Sequence, residues 1–188
     1  MNAPDDQPAT PPESRFLLAA GTILYGVMML VALLWLWLRD RMEALPPAAV
    51  GTHGPWLASA IGLGVGWLGA CALAIVNPRV ARMRELEAVA KRSFQASGEM
   101  AAILFVTVGA IAEELFFRLA AQDAFGVTGS VAVAVLVNSY LAGWRWIPVS
   151  LLHALALSLI VQQGFGLLGS TTASAVMNYL NLRRIQCS

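Results

Sequence analysis

Met100 to Ala121 reads MAAILFVTVGAIAEELFFRLAA. The stretch is about as long as a bilayer-crossing helix, which needs roughly 20 apolar residues. Yet Glu113, Glu114 and Arg118 sit in it among Leu, Phe, Ile and Val. Each ionisable group at bilayer depth costs roughly 2.5–3.5 kcal/mol on insertion scales. Three of them in one helix must be paired, face an aqueous cavity, or do chemistry.

The composition identifies the solvent. Hydrophobic residues make up 58% of the 188 residues and charged residues 12%, where a soluble domain carries about 25% charged. Mean hydropathy is +0.67. These values predict a polytopic all-α membrane protein folded as one domain. A net charge of +1, with no basic run interleaved with aromatics, argues against nucleic-acid binding. Cys71 and Cys187 belong to no CxxC or Cys/His cluster, so no disulfide framework or metal site is expected.

Residues 1–14 are rich in Pro and Asp and predict a disordered cytoplasmic tail. Residues 15–98 hold two spans, Phe16 to Leu38 and Trp56 to Val76, followed by a polar linker. In the linker, Val80, Met83, Leu86 and Val89 recur about every third residue, which fits an amphipathic helix on the membrane surface or a solvated helical loop. Residues 99–182 then supply four more spans, at Met100–Ala121, Val127–Trp144, Ile147–Leu168 and Ser170–Leu182. The last is short and rich in small residues, so it is expected inside the bundle. Residues 183–188 form a short cytoplasmic tail. With about six spans, Arg15, the Arg79–Arg92 cluster, Arg145, Arg183 and Arg184 share one side and only Arg39 and Arg41 the other. The excess of Lys and Arg places the first side, and both termini, in the cytoplasm of a multi-pass cell-membrane protein.

Helical geometry sorts the three charges. Glu114 and Arg118 are four residues apart, so they lie within about 40° of one another and can pair. Glu113 diverges from Arg118 by about 140°. Arg118 can therefore neutralise Glu114 and leave Glu113 free to act as a general base, provided a cavity admits water. A hydrated, inert cluster at a helix end is the other reading of the same string.

Glu113-Glu114-Leu115-Phe116-Phe117-Arg118, on a membrane helix in the C-terminal half, resembles the first motif of the CAAX protease and bacteriocin-processing (CPBP) family, which includes the type II CAAX prenyl endopeptidases. The resemblance extends over roughly Met100 to Leu182, with Gly169-Ser170 opening the last helix. It implies a polytopic helical bundle, a water-activating Glu113 supported by Glu114 and Arg118, and substrates that are prenylated or membrane-embedded peptides or proteins in contact with membrane lipid.

The chain departs from the family's other two motifs. The second, FxxxH, falls at Tyr140 to Trp144, where Tyr140 supplies the aromatic and Trp144 replaces the histidine. The third, HxxxN or HxxxD, falls at Asn178, with Leu182 at the partner position and Asn181 one residue short of it. Asn178 can donate to an oxyanion but cannot shuttle a proton. Trp144 can donate one bond and accept none. The missing imidazoles predict no zinc and no other cofactor. His153, halfway along the fifth span, is either a cross-helix hydrogen-bonding group or a relocated catalytic histidine. Three functions follow in order: an intramembrane endopeptidase, a non-catalytic relative that binds a lipid, peptide or protein in the same cavity, and a small transporter.

Overall fold

The computed structural model describes residues 11–187, which are helical apart from short connections and contain no strand. Most of the tail expected at residues 1–14 lies outside that range. Helix α1 spans Pro11–Leu38 and so begins four residues inside it; proline is tolerated in a first turn, where its missing N–H has no helical partner. A short α2 (Leu45–Val50) leads to α3 (Pro55–Val76), which opens on a proline after Gly54. The polar linker forms α4 (Ala81–Ser97). Next come α5 (Glu99–Glu114), a π-helical turn over Leu115–Ala121, α6 (Gln122–Ala142), α7 (Ile147–Ile160), a second π-helical turn over Val161–Phe165, and α8 (Gly166–Cys187).

Among the described residues, four continuous stretches are long and apolar enough to cross a membrane: Leu18–Leu38, Pro55–Arg79, Glu99–Tyr140 and Trp144–Cys187. The last two have 42 and 44 residues, about twice what one crossing requires, and each doubles back. Gly126 adopts φ 68°, ψ −178°. Beyond it the Ser130 hydroxyl donates to the Phe117 carbonyl, thirteen residues back, a separation of about 20 Å in a straight helix. Gly164 (φ 83°) and Gly166 (φ 65°) turn the second stretch, so that Gly169 packs on Ile160. Positive φ is open to glycine without the Cβ clash other residues meet, so both reversals depend on it. α8 starts four residues before the small-residue span expected at Ser170 and runs through the segment expected to be a tail, carrying Arg183 and Arg184 in its final turns.

The exterior is apolar, and several polar side chains share the buried core with the hydrophobic ones. Ile23, Leu30, Leu34, Leu63, Trp67 and Leu68 are exposed along α1 and α3, while Ser130, Ser150, Ser158, Ser170 and Ser174 are buried. An apolar exterior of this extent suits a hydrocarbon solvent. Helices without a water-driven incentive to associate rely on close backbone approach. α3 and α8 achieve it through Ala58, Gly62 and Gly66, four residues apart, laid against Gly169 and Ala173. A Cβ on Gly62 would strike the Gly169 carbonyl, and one on Gly66 the Ala173 carbonyl. Gly66→Leu is therefore expected to separate α3 from α8 and to cost about 1–3 kcal/mol or more, read as a lower midpoint in SDS-titrated unfolding; an unchanged midpoint would show that the seam is not tight.

Polar contacts mark the two ends of the bundle. At one end Arg41 and Arg39 lie 3.3 and 3.9 Å from Asp123, the Trp35 indole donates to the same carboxylate at 3.2 Å, and the Thr52 amide donates to the Gly164 carbonyl at 2.7 Å. At the other, Arg183 pairs with Glu99 at 2.9 Å and Arg184 pairs with Glu87. Trp144 and Arg145 are exposed and stacked, with the guanidinium 5.5 Å from the ring centroid, as suits an interfacial anchor.

Candidate functional site

The end of α5 and the π-helical turn after it carry the charges. Glu114 and Arg118 are 2% and 4% exposed, and Arg118 Nε lies 3.7 Å from Glu114 Oε2, the pairing that a four-residue spacing predicts. Arg118 also donates to the Ser158 hydroxyl on α7 at 3.0 Å and to the Ser130 hydroxyl on α6 at 3.4 Å. Ser170, at the start of α8, lies beside Glu114, with its hydroxyl donating to the Leu167 carbonyl at 3.2 Å. One ion pair thus ties α5 with its π turn to α6 and α7, and lies against α8. The serines partner one terminal nitrogen of Arg118, while Arg118 Nε and Glu114 Oε2 face each other at ion-pair distance without a hydrogen bond.

Glu113 is turned away from this lock. It lines a partly open cavity of about 650 Å³ together with Asn138 of α6, His153 of α7, and Asn178 and Asn181 of α8. Tyr25 of α1 joins them: its ring and hydroxyl lie over Gly109, one helical turn before Glu113. The rest of the wall is largely apolar, from Val65, Leu68 and Leu73 on α3 to Phe105 on α5 and Leu157 on α7. Asn77 and Asn181 line the same cavity beside α4. His153 Nε2 is buried without a hydrogen-bond partner. Ser150, one turn earlier on α7, has an unpartnered buried hydroxyl and also lines the cavity. Unpaired buried polar groups cost free energy, so a ligand or water that bonded them would be favoured there.

The residues singled out in the sequence divide into three groups. Glu113, His153, Asn178 and Asn181 meet on one cavity, and Glu114 and Arg118 form the buried lock behind it. Tyr140 and Trp144 are not brought to the site: they are 88% and 75% exposed and absent from the cavity wall. Asn138, two residues before Tyr140, faces the cavity, so Tyr140 points roughly 200° away from it around α6. Gly143 (φ 89°) ends α6, and Trp144 opens the tight turn that follows. Trp146 lines the cavity instead. His53, in the α2–α3 connection, is exposed and hydrogen-bonds the Gln163 carbonyl at 2.9 Å. Tyr25, Ser150 and Asn77 carried no sequence signal, because an isolated Tyr, Ser or Asn in an apolar helix looks the same whether it faces lipid, a neighbour or a cavity.

Among the described residues, no group of three His, Cys, Asp or Glu side chains is placed to hold a metal ion. Both cysteines are free and exposed. No family model, curated protein or solved structure matches this chain.

Proposed function

We propose that the protein is a membrane-embedded endopeptidase of the CPBP type, in which Glu113 activates water against a peptide bond held in the cavity. The observation that carries this reading is the division of labour between the two adjacent carboxylates. Glu114 is bound to Arg118, while Glu113 opens onto a cavity of about 650 Å³, large enough for a substrate segment. In this mechanism Glu113 takes a proton from water as the oxygen attacks the carbonyl carbon, and later returns it to the leaving amine. Asn178 donates a hydrogen bond to the oxyanion, and His153 offers a second polar contact on the same wall. The two reversals at Gly126 and Gly164–Gly166 support six membrane crossings, and the Lys/Arg asymmetry puts both termini and α4 on the cytoplasmic side.

A second reading is a non-catalytic relative that binds a lipid or peptide in the same cavity. The absence of histidine at Trp144 and Asn178 and the largely apolar wall favour it. The test is purified protein in liposomes with a panel of prenylated and transmembrane reporter peptides. Wild type is expected to cleave at least one reporter. His153→Ala and Asn178→Ala are each expected to lower its kcat by about tenfold to a hundredfold, within the range for an oxyanion donor or acid–base group. Tyr140→Ala and Trp144→Ala are expected to cleave at the wild-type rate. Absence of cleavage by folded wild type across the panel would select the binding reading.

A further inference from the structure

The linker helix α4 forms part of the cavity wall. Met83, Glu87, Ala90 and Phe94 recur at intervals of four, three and four residues, which places them on one face of the helix. Met83, Ala90 and Phe94 line the cavity. Glu87, in the middle of this apolar stripe, departs from its pattern and is held from two elements. Asn77, fully buried in the turn after α3, donates to it, as does Arg184 in the last turns of α8. Arg184 and Asn77 also donate to Asn181, at 3.0 and 3.5 Å, and Asn181 lines the cavity. Both ends of α4 are non-helical backbone: Val80 is extended at φ −108°, ψ 110°, and Gly98 has φ 82°, ψ 160° with open space around its Cα.

We infer that α4 is a hinged lid over the cavity and that Glu87 is its latch, so that ligand enters from the membrane surface beneath α4 when Glu87 releases Arg184 and Asn77. The inference rests on the cavity being the ligand site of the proposed function, and is independent of whether a bond is hydrolysed there. A carboxylate placed in the middle of an apolar stripe gives a lid two states. Closed, it is bonded to buried donors; open, it is hydrated at the surface. An apolar residue at that position would hold the lid shut by burial alone. The rest of α4 packs on α1, and Phe94 lies edge-on to Phe105 with ring centroids 5.6 Å apart. Release of Glu87 removes the polar hold on this helix, so that α4 swings on Gly98 while α5 stays in the bundle.

The test measures access, with no substrate. In a Cys71→Ser, Cys187→Ser background, a cysteine replaces Val65 on the cavity wall, and its reaction rate with a membrane-impermeant maleimide is followed in liposomes. Glu87→Gln and Arg184→Gln are each expected to raise that rate about tenfold, and the exchanged pair Glu87→Arg with Arg184→Glu to return it toward the wild-type value. Hydrogen exchange is read in parallel on α4 and α5. Faster exchange confined to α4 supports a lid. An unchanged labelling rate in both single variants, or exchange that rises equally in α5, would overturn the proposal. The readout does not depend on cleavage, so it stands apart from failure of the endopeptidase reading.

Discussion

Glu113→Gln is expected to lower reporter cleavage by about a hundredfold to ten-thousandfold, the usual contribution of a positioned acid–base group, while leaving the fold intact. Glutamine has the size and hydrogen-bonding reach of glutamate but cannot accept the proton of the attacking water. Among the described residues Glu113 has no ion-pair partner within the contact distance that Glu114 shares with Arg118, so its replacement removes no structural lock. The unfolding midpoint of the variant should therefore match wild type. Glu114→Gln makes the informative contrast, because it disturbs Arg118 and should lower stability as well as rate. Cleavage by Glu113→Gln at more than about a tenth of the wild-type rate would remove Glu113 from the role of base.

The second large effect is on stability. Arg118→Met should destabilise the protein by about 3–5 kcal/mol, the usual result of stripping one partner from a buried ion pair. It leaves Glu114 at 2% exposure with no counter-charge, and leaves the Ser130 and Ser158 hydroxyls without their donor. Glu114→Gln combined with Arg118→Met should recover much of the loss, because no unpaired charge then remains. A double-mutant cycle in SDS-titrated unfolding measures the coupling. A single Arg118→Met variant costing less than about 1 kcal/mol would show that water reaches the pair and that the lock is not buried.

These two predictions rest on the part of the molecule that was most legible in its sequence. The spacing of Glu113, Glu114 and Arg118 along one helix separates a lock from a free carboxylate without knowledge of any neighbour, because helical angles are local. The small residues of the last helix similarly announced a buried position, since only small side chains allow α3 and α8 to approach as Gly62 and Gly66 do. Features set by neighbouring segments were not legible. The π-helical turn over Leu115–Ala121 has no compositional mark. Motif spacing pointed to Tyr140 and Trp144, but which side of α6 faces inward depends on how the chain turns at Gly126 and Gly143. α4 was read as either a membrane-surface helix or a solvated one, with Val80, Met83, Leu86 and Val89 as its apolar stripe; of these Met83 lines the cavity, joined there by Ala90 and Phe94, and the partners of Glu87, Asn77 and Arg184, lie on other segments.

The reversal at Gly126 also bears on how the chain enters the bilayer during synthesis. Glu114, Arg118 and Ser130 all belong to the hairpin formed by α5 and α6, and the Ser130 hydroxyl satisfies the Phe117 carbonyl within it. This hairpin emerges from the ribosome before Ser158 and Ser170 exist. Glu114 and Arg118 are already matched within it at that stage, which lowers the cost of moving this pair from the insertion machinery into lipid. The later arrival of α7 adds the Ser158 bond to Arg118, and α7 and α8 supply His153 and Asn178 to the cavity wall that Glu113 shares. The Arg118 guanidinium thus serves twice, first as a counter-ion to Glu114 inside the hairpin and then as the peg to which α6 and α7 are fastened.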